Sequence, residues 1–571
     1  MHYKNLGETS FLSTEEIANQ IKNGDTVAVG GFWFVRLPMA LINALIKRNV
    51  KDLTIVTQAS GLAVDQLVSA GLVKKVIYSF ISLDLFGLAP AFRYASQKGE
   101  IEFEEWTALQ MNNALKAGSL GLPYGILQPP EGSDFDKTTD YYQTSHCPFT
   151  GQKIGMIKAL RPDVALIHAQ EADKNGNVAI FGSLGIDQLY IGASDKTFVS
   201  VEKTVESNAF TQDSRAHIFP HFLISAICEQ PGGAHPTSCI PYYTTDYDVL
   251  MRNDLNISKD ILNERIGLLN CYAQMDYATI KSKLSMLPDC KSDSSWSVDE
   301  LMVCLMAEQL RDHMVTTVGS NTPIAMVAYM LAKGTHAPKC TIIPFCGMVD
   351  IPYGPISLAF AEPLAYHAST THWAIEDLWQ WIYQKSLTAV EFGGCAQLDQ
   401  FGNINNSQIK DAQGNLKVLL PGQAGLADIL NLHHNAYYYI TKHEPRRICE
   451  LVSYMGGSYR YVTSEERTQR GLADGVMRVI SDLCVMELDK SSRRLKVVQI
   501  HPGVTKQQIC NCTGFDISFD DSLTVTKVPT REQLYMIRHE IDPFGYRRIE
   551  FLNGDERNAL IKRILEQEHA L

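Results

Sequence analysis

The sequence predicts an α/β fold made of two related domains, with mainly parallel sheets flanked by helices. Three observations predict it. At 571 residues the chain is too long for one hydrophobic core, and two units of about 250 residues each are the natural division. Short apolar runs alternate with helix-period segments, as chains that return each strand parallel to the last one do. The third is duplication. Arg161–Asn177 reads RPDVALIHAQEADKNGN and Thr388–Asn403 reads TAVEFGGCAQLDQFGN. Each is an apolar strand, then Ala-Gln, then an Asp, then a Gly-Asn turn, and one such stretch in each half signals internal duplication.

Taken in order, Ser13-Thr-Glu-Glu16 is a capping box that opens a helix stopping near Asn23-Gly24. The strand Thr26–Val29 runs into Gly30-Gly31-Phe32, and a helix follows from about Pro38. Glycines there would let backbone N–H groups face a ligand. Leu53–Thr57 and Lys75–Phe80 are further strands. Glu100 to Gly121 is an acidic lead into a helix, and residues 128–151, rich in Pro, Asp, Thr and Tyr, form a long excursion. Val164–Val201 resumes strand, turn, helix and strand. The polar, turn-rich stretch before Val298 marks the boundary, giving domains at 1–285 and 298–571 with a linker at 286–297. The second domain opens with a helix from Val298 to about His313 and the strand Met314–Val318. It closes with strands at 482–488 and 497–500 and a charged helix from about Asp555.

Composition narrows the function. A net charge of −12 disfavours a nucleic-acid binder, which needs a basic face for phosphates. No apolar run is long enough to span a bilayer, and the N-terminus carries no secretory pattern. Thirteen cysteines without CxxC pairs read as reduced thiols of a cytoplasmic protein, with no metal site.

The motifs resemble those of the family I CoA-transferases, closest to the glutaconate CoA-transferase branch, with an α-type and a β-type subunit fused. The α-like marks are GDTVAVGGF at 24–32, AGSLGLP at 117–123, the 161–177 stretch and GGAHPTSC at 232–239. The β-like marks are TVGSNTP at 317–323, GGCAQLDQFGNIN at 393–405, SDLCV at 481–485 and HPGVTKQQICNCTGF at 501–515. The resemblance implies two domains of the NagB/RpiA/CoA-transferase-like type, with acyl-CoA in the cleft between them. It implies no permanently bound cofactor, coenzyme A arriving as acyl-CoA substrate, a carboxylic acid or water as second reactant, and a homodimer. In that family a β-subunit glutamate attacks the thioester. Here Phe345 and Cys346 stand in its place and no glutamate lies nearby, so a glutamyl-CoA intermediate cannot form at that position.

A branch without that glutamate opens a carbon ring of a steroid-derived acyl-CoA, using a glutamate in a Glu-Trp stretch ahead of an AGxxGLP segment. Glu104-Glu105-Trp106 and Ala117–Pro123 match, so the resemblance assigns Glu105 as general base, its pKa raised by desolvation. The bland alternative makes Glu104 and Glu105 first-turn acids of a helix. Glu391, just ahead of Gly393-Gly394, is a rival carboxylate, with Glu362 a weaker one. Glu202 reads as structural, pairing with Lys203 or the neighbouring turn. Gly30, Gly31, Gly393 and Gly394 are the expected coenzyme A or oxyanion contacts, joined by Gln397, Asn403 and His235. Hydrolysis or C–C ring opening is thus the favoured activity. The alternatives are CoA transfer through another carboxylate and non-catalytic binding of acyl-CoA.

Overall fold

The computed structural model describes residues 9–207, 209–210, 216–252, 257–285, 295–319, 322–344, 347–359 and 361–570. Phe345, Cys346 and most of the linker stretch at 286–297 lie outside the described residues.

The first half is built on one long sheet. Its strands run in the order Ser10–Phe11, Ala226–Glu229, Lys196–Val205, Val164–Asp173, Thr26–Val29, Leu53–Thr57, Val73–Tyr78 and Glu102–Glu105, every neighbouring pair parallel. Val178–Phe181 folds back antiparallel on the central strand and pairs with Ala216–Phe219. Alternate side chains go to opposite faces of the strands. Val27, Val29, Ile55 and Val76 meet the helices Met39–Arg48, Gly61–Ser69 and Pro90–Lys98. Ala28, Val56 and Ile77 meet Ala108–Ser119 and Asp187–Ala193 in a core that also takes in Trp379, Tyr383 and Ile429 of the second half. The two halves therefore share one core on that face.

The second half carries a parallel pair, Val315–Val318 with Thr341–Pro344, and a six-stranded sheet. That sheet is parallel through Phe392–Gly394, Ala436–Ile440 and Met477–Ser481. It then reverses through the hairpin strands Cys484–Leu488 and Leu495–Ile500 before ending on Ser518–Val525, parallel again. The duplicated stretch is split here. Its first-half copy is one unbroken strand, Val164–Asp173, whereas the second copy stops at Gly394 and restarts as Gln397–Asp399. Among the described residues, no helix is long and apolar enough to cross a membrane.

The acidic segment at 102–105 is an edge strand and not a helix start. Lys75 on the adjoining strand pairs with Glu104, and the helix begins only at Ala108, behind a Thr107/Gln110 capping box. The first-turn reading of Glu104 and Glu105 therefore does not hold.

Candidate active site

Four strands of the first sheet, Thr26–Val29 through Glu102–Glu105, end side by side, and the loops beyond their carboxyl ends face the second half. Open parallel sheets place ligands in this position. The cleft there has two lobes that share Trp33, Asp84, Gly319 and Thr322. The larger, about 420 Å³, is walled by Gln58, Phe80, Glu391, Gly393, Gly394 and the loop Pro421–Gly425, among others. The smaller, about 270 Å³, is mostly apolar, with Met326, Met330, Ile351 and Leu364 in its lining, and it carries Glu362.

Glu105 ends the edge strand and is 7% exposed. Both groups that hold it come from the second half. Oε1 accepts from the Ser407 hydroxyl at 2.7 Å and from the backbone N–H of Gln423 at 2.7 Å. Oε2 is buried with no hydrogen-bond partner. Burial pushes the carboxyl up to about 7, against the two hydrogen bonds that pull it down. Trp106 stacks on Tyr141, with ring centroids 4.8 Å apart. The carboxylate lies one layer behind the wall of the larger lobe, under Gly422 and Gln423. The Gln423 side-chain amide is itself unbonded, so no hydrogen bond holds it across the path.

Glu391 stands on the wall itself. Its Oε2 accepts from Thr317 and from the Tyr383 hydroxyl, the latter at 2.9 Å. Its Oε1 takes no hydrogen bond from any described residue. Burial raises its pKa, opposed by the same two hydroxyls. Glu362, in the smaller lobe, is pushed up to about 7 by burial.

The glycine pairs part company. Gly393 and Gly394 line the larger lobe. The Gly30 and Gly31 amides are spent inside the fold, on Leu166 O at 2.9 Å and Asp187 Oδ1 at 2.8 Å. Arg36 closes that turn, bonding Asp187 at 2.9 Å, His168 O at 2.8 Å and Ser183 O at 2.6 Å. The turn delivers Trp33 into both lobes, and Phe34 and Val35 into the smaller.

Gln397, Asn403 and His235 line neither lobe. Gln397 Oε1 accepts from Asn405 at 2.7 Å and Ser453 at 3.1 Å. Asn403 closes the turn on Asp399, its N–H and side-chain amide each 3.1 Å from a carboxylate oxygen. His235 pairs with Asp246 at 2.9 Å, and Arg265 bonds the same carboxylate, so both ring and loop are tied to the outer helix. Glu202 is buried against His168 at 2.8 Å, the Tyr243 hydroxyl at 2.5 Å and the Gly232 N–H at 2.8 Å, with Lys203 uninvolved. His168, Glu202 and Cys239 put donor atoms within 4.8 Å of one another, but the His and Glu atoms are already taken by these hydrogen bonds.

Ser407, Gln423, Tyr383, Asp84 and Arg557 escaped the sequence reading. Only the Pro-Gly-Gln-Ala-Gly run at 421–425 carries a local signal, a glycine at φ +110 in Gly422.

The Coenzyme A transferase family profile matches residues 12–230 and 300–511. This chain belongs to that family. Subunits A and B of the 3-oxoadipate CoA-transferase of Pseudomonas knackmussii are 33% and 29% identical to it, over 41% and 43% of this chain and 82% and 93% of theirs. The cholesterol ring-cleaving hydrolase IpdA subunit of Rhodococcus jostii is 34% identical over 41% of this chain and 82% of its own. Among solved structures, the acyl-CoA transferase YdiF of Escherichia coli O157:H7 aligns over 93% of this chain and 96% of its own, with a TM-score of 0.66 at 16% identity. That likeness is one of fold, and it spans both halves.

Proposed function

We propose that the cleft binds an acyl-CoA and that the chain catalyses a water-dependent reaction on the acyl part, hydrolysis or opening of a C–C bond, with Glu105 as general base. The observation that carries this reading is the unpartnered Oε2 of a fully desolvated carboxyl whose pKa is raised to about 7. Such a group is partly ionised at neutral pH and accepts a proton there. Ser407 and Gln423 fix Oε1 and leave Oε2 unbonded. For a β-keto acyl-CoA, Oε2 takes a proton from water while the water oxygen adds to the keto carbonyl. The C–C bond next to the α carbon then breaks, its electron pair is held as the thioester enolate, and the Glu105 proton returns to that carbon. Family membership supports an acyl-CoA substrate, and the similarity to a ring-cleaving hydrolase subunit supports the water-dependent outcome.

The wall position of Glu391, with one oxygen unbonded, favours a second reading: CoA transfer between acids, with Glu391 as nucleophile. Incubation of wild type and Glu105→Gln with a panel of acyl-CoAs separates the two. The expected result is water-dependent turnover that falls at least 100-fold in Glu105→Gln, on the scale of losing a general base. A borohydride- or hydroxylamine-trapped adduct on Glu391, with transfer to a second acid, would replace the first reading by the second.

A further inference from the structure

The two lobes of the cleft differ in chemistry as well as in size. Among the described residues, both arginines that line the cleft, Arg447 and Arg557, belong to the larger lobe, as does Glu391. The smaller lobe has no Lys, Arg or His among its described lining residues. Its two acids are Asp84, at the neck shared with the larger lobe, and Glu362. Two helices of the second half wall it. Met326 and Met330 come from Pro323–Gly334, about one turn apart and so on one face, and Leu364 and Ala365 come from Ala361–Ala368. Ile351 and Leu358 join them from the segment between the helices, and Phe34 and Val35 face them from the first half.

Several hydroxyls of the smaller lobe are spent on backbone carbonyls. Thr322 donates to Gly319 O at 2.9 Å, Thr245 to Phe34 O at 3.3 Å and Tyr277 to Tyr353 O at 2.5 Å. A chain that enters the lobe therefore meets mainly hydrocarbon. A carboxylate carried in would lose its water without gaining a cation and would face the two acids, and burying a charge on those terms is costly. The larger lobe, with its arginines and the loop that covers Glu105, suits the polar arm of CoA and the reacting carbonyl. Volume sets the length of the chain. A cavity of about 150 Å³ walled by Leu, Ile and Phe holds one benzene ring, roughly 25 Å³ per carbon, so the smaller lobe, at about 270 Å³, holds about ten carbons. Methionine is unbranched and flexible, so Met326 and Met330 adapt to the shape of the chain while still ending it.

We infer that the smaller lobe is the acyl pocket and takes an uncharged hydrocarbon chain of about ten carbons, with Met326 and Met330 setting its length. The inference rests on the acyl-CoA reading of the same cleft. Calorimetry on the full chain tests it with S-butyl-, S-decyl- and S-tetradecyl-CoA, thioethers that cannot turn over, and with S-decyl-CoA carrying a carboxylate at its far end. Wild type is expected to bind S-decyl-CoA at least thirtyfold more tightly than S-butyl-CoA, inside the limit of about fourfold per buried methylene. S-tetradecyl-CoA should bind no more tightly than S-decyl-CoA, and the carboxylated chain at least tenfold more weakly. Met330→Ala is expected to make S-tetradecyl-CoA the tighter of the two long chains by at least fivefold. Should Met330→Ala fail to fold, the half-buried Met326→Ala replaces it, with the same direction expected. Equal binding of the butyl and decyl chains by wild type overturns the inference alone, as does equal or tighter binding of the carboxylated chain. A length preference that neither methionine variant moves places the chain outside the smaller lobe and also overturns it. If wild type binds neither CoA nor any of the thioethers, the acyl-CoA reading falls and takes this inference with it.

Discussion

Two glycine pairs, one in each half, do opposite things: Gly30-Gly31 follow a strand and Gly393-Gly394 end one. At Gly30-Gly31 the chain is wound so tightly that both amides bond within the fold, and a buried Arg36–Asp187 ion pair seals the turn. At Gly393-Gly394 the strand breaks, and its backbone lines the cavity. One pair is consumed in packing and the other lines the cleft. The space a Cβ would meet separates Gly31 from Gly394: at Gly31 it would lie 2.6 Å from the Arg36 carbonyl oxygen, and at Gly394 nothing comes nearer than 3.5 Å, while Gly393 would meet the Tyr438 ring at 3.0 Å.

The sharpest way to break the comparison is therefore a pair of alanines. Gly31→Ala meets backbone on one side and carries φ +74, a conformation that a residue with Cβ pays to hold. It should cost on the order of 3 kcal/mol, read as a fall in urea midpoint with loss of soluble protein. Gly394→Ala should stay within about 1 kcal/mol of wild type in the same assay and instead weaken acyl-CoA binding. Equal destabilisation by both would mean that the second pair is also a packing device.

Next in size is the pH dependence of stability set by Glu105. Its folded pKa, about 7, lies above the ordinary carboxylate value, so the folded state holds the proton more tightly than the unfolded chain does. The stabilisation is complete below about pH 4.5 and drains away as pH rises towards 7, by roughly 3 kcal/mol at most. Glu105→Gln should flatten that part of the stability curve, and denaturant titrations at pH 5 and pH 8 would show it. An unchanged slope would place the raised pKa on another of the buried carboxyls, with Glu362 and Asp428 the first to test.

Much of the fold was legible because it is written locally. The Ser13/Glu16 capping box forms as its spacing requires, and apolar runs bounded by turns become parallel strands. The strand Glu102–Glu105 was not legible, since its acidic residues become a strand only through pairing with Val73–Tyr78, a long-range contact. Thr107 and Gln110 did hold the signal, a capping box that starts the helix after the glutamates and not among them. The site was less readable for the same reason. Glu105 is visible in sequence beside Trp106, but the groups that set its chemistry, Ser407 and Gln423, lie about three hundred residues away. Arg557 sits further still from Asp84, on a helix whose sequence reads as an ordinary charged surface.

The smallest effect separates turn from site at Asn403, which the duplicated motif nominates for binding. Among the described residues three turns share one geometry, an Asp whose two oxygens accept from the N–H and the side-chain amide of an Asn four residues on. They are Asp173/Asn177, Asp399/Asn403 and Asp411/Asn415. The third lies in an exposed hairpin loop, and none of the three Asn lines either lobe. Asn403→Ala and Asn177→Ala should each cost about 1 kcal/mol, the net worth of a hydrogen bond or two, and leave the KM for acyl-CoA unchanged. A rise in KM confined to Asn403→Ala would show that the second copy of the turn does more than close a strand. Equal, purely structural losses would show that the duplication was conserved through the physics of the Asx turn, and that the chemistry of the cleft was added around it from other parts of the chain.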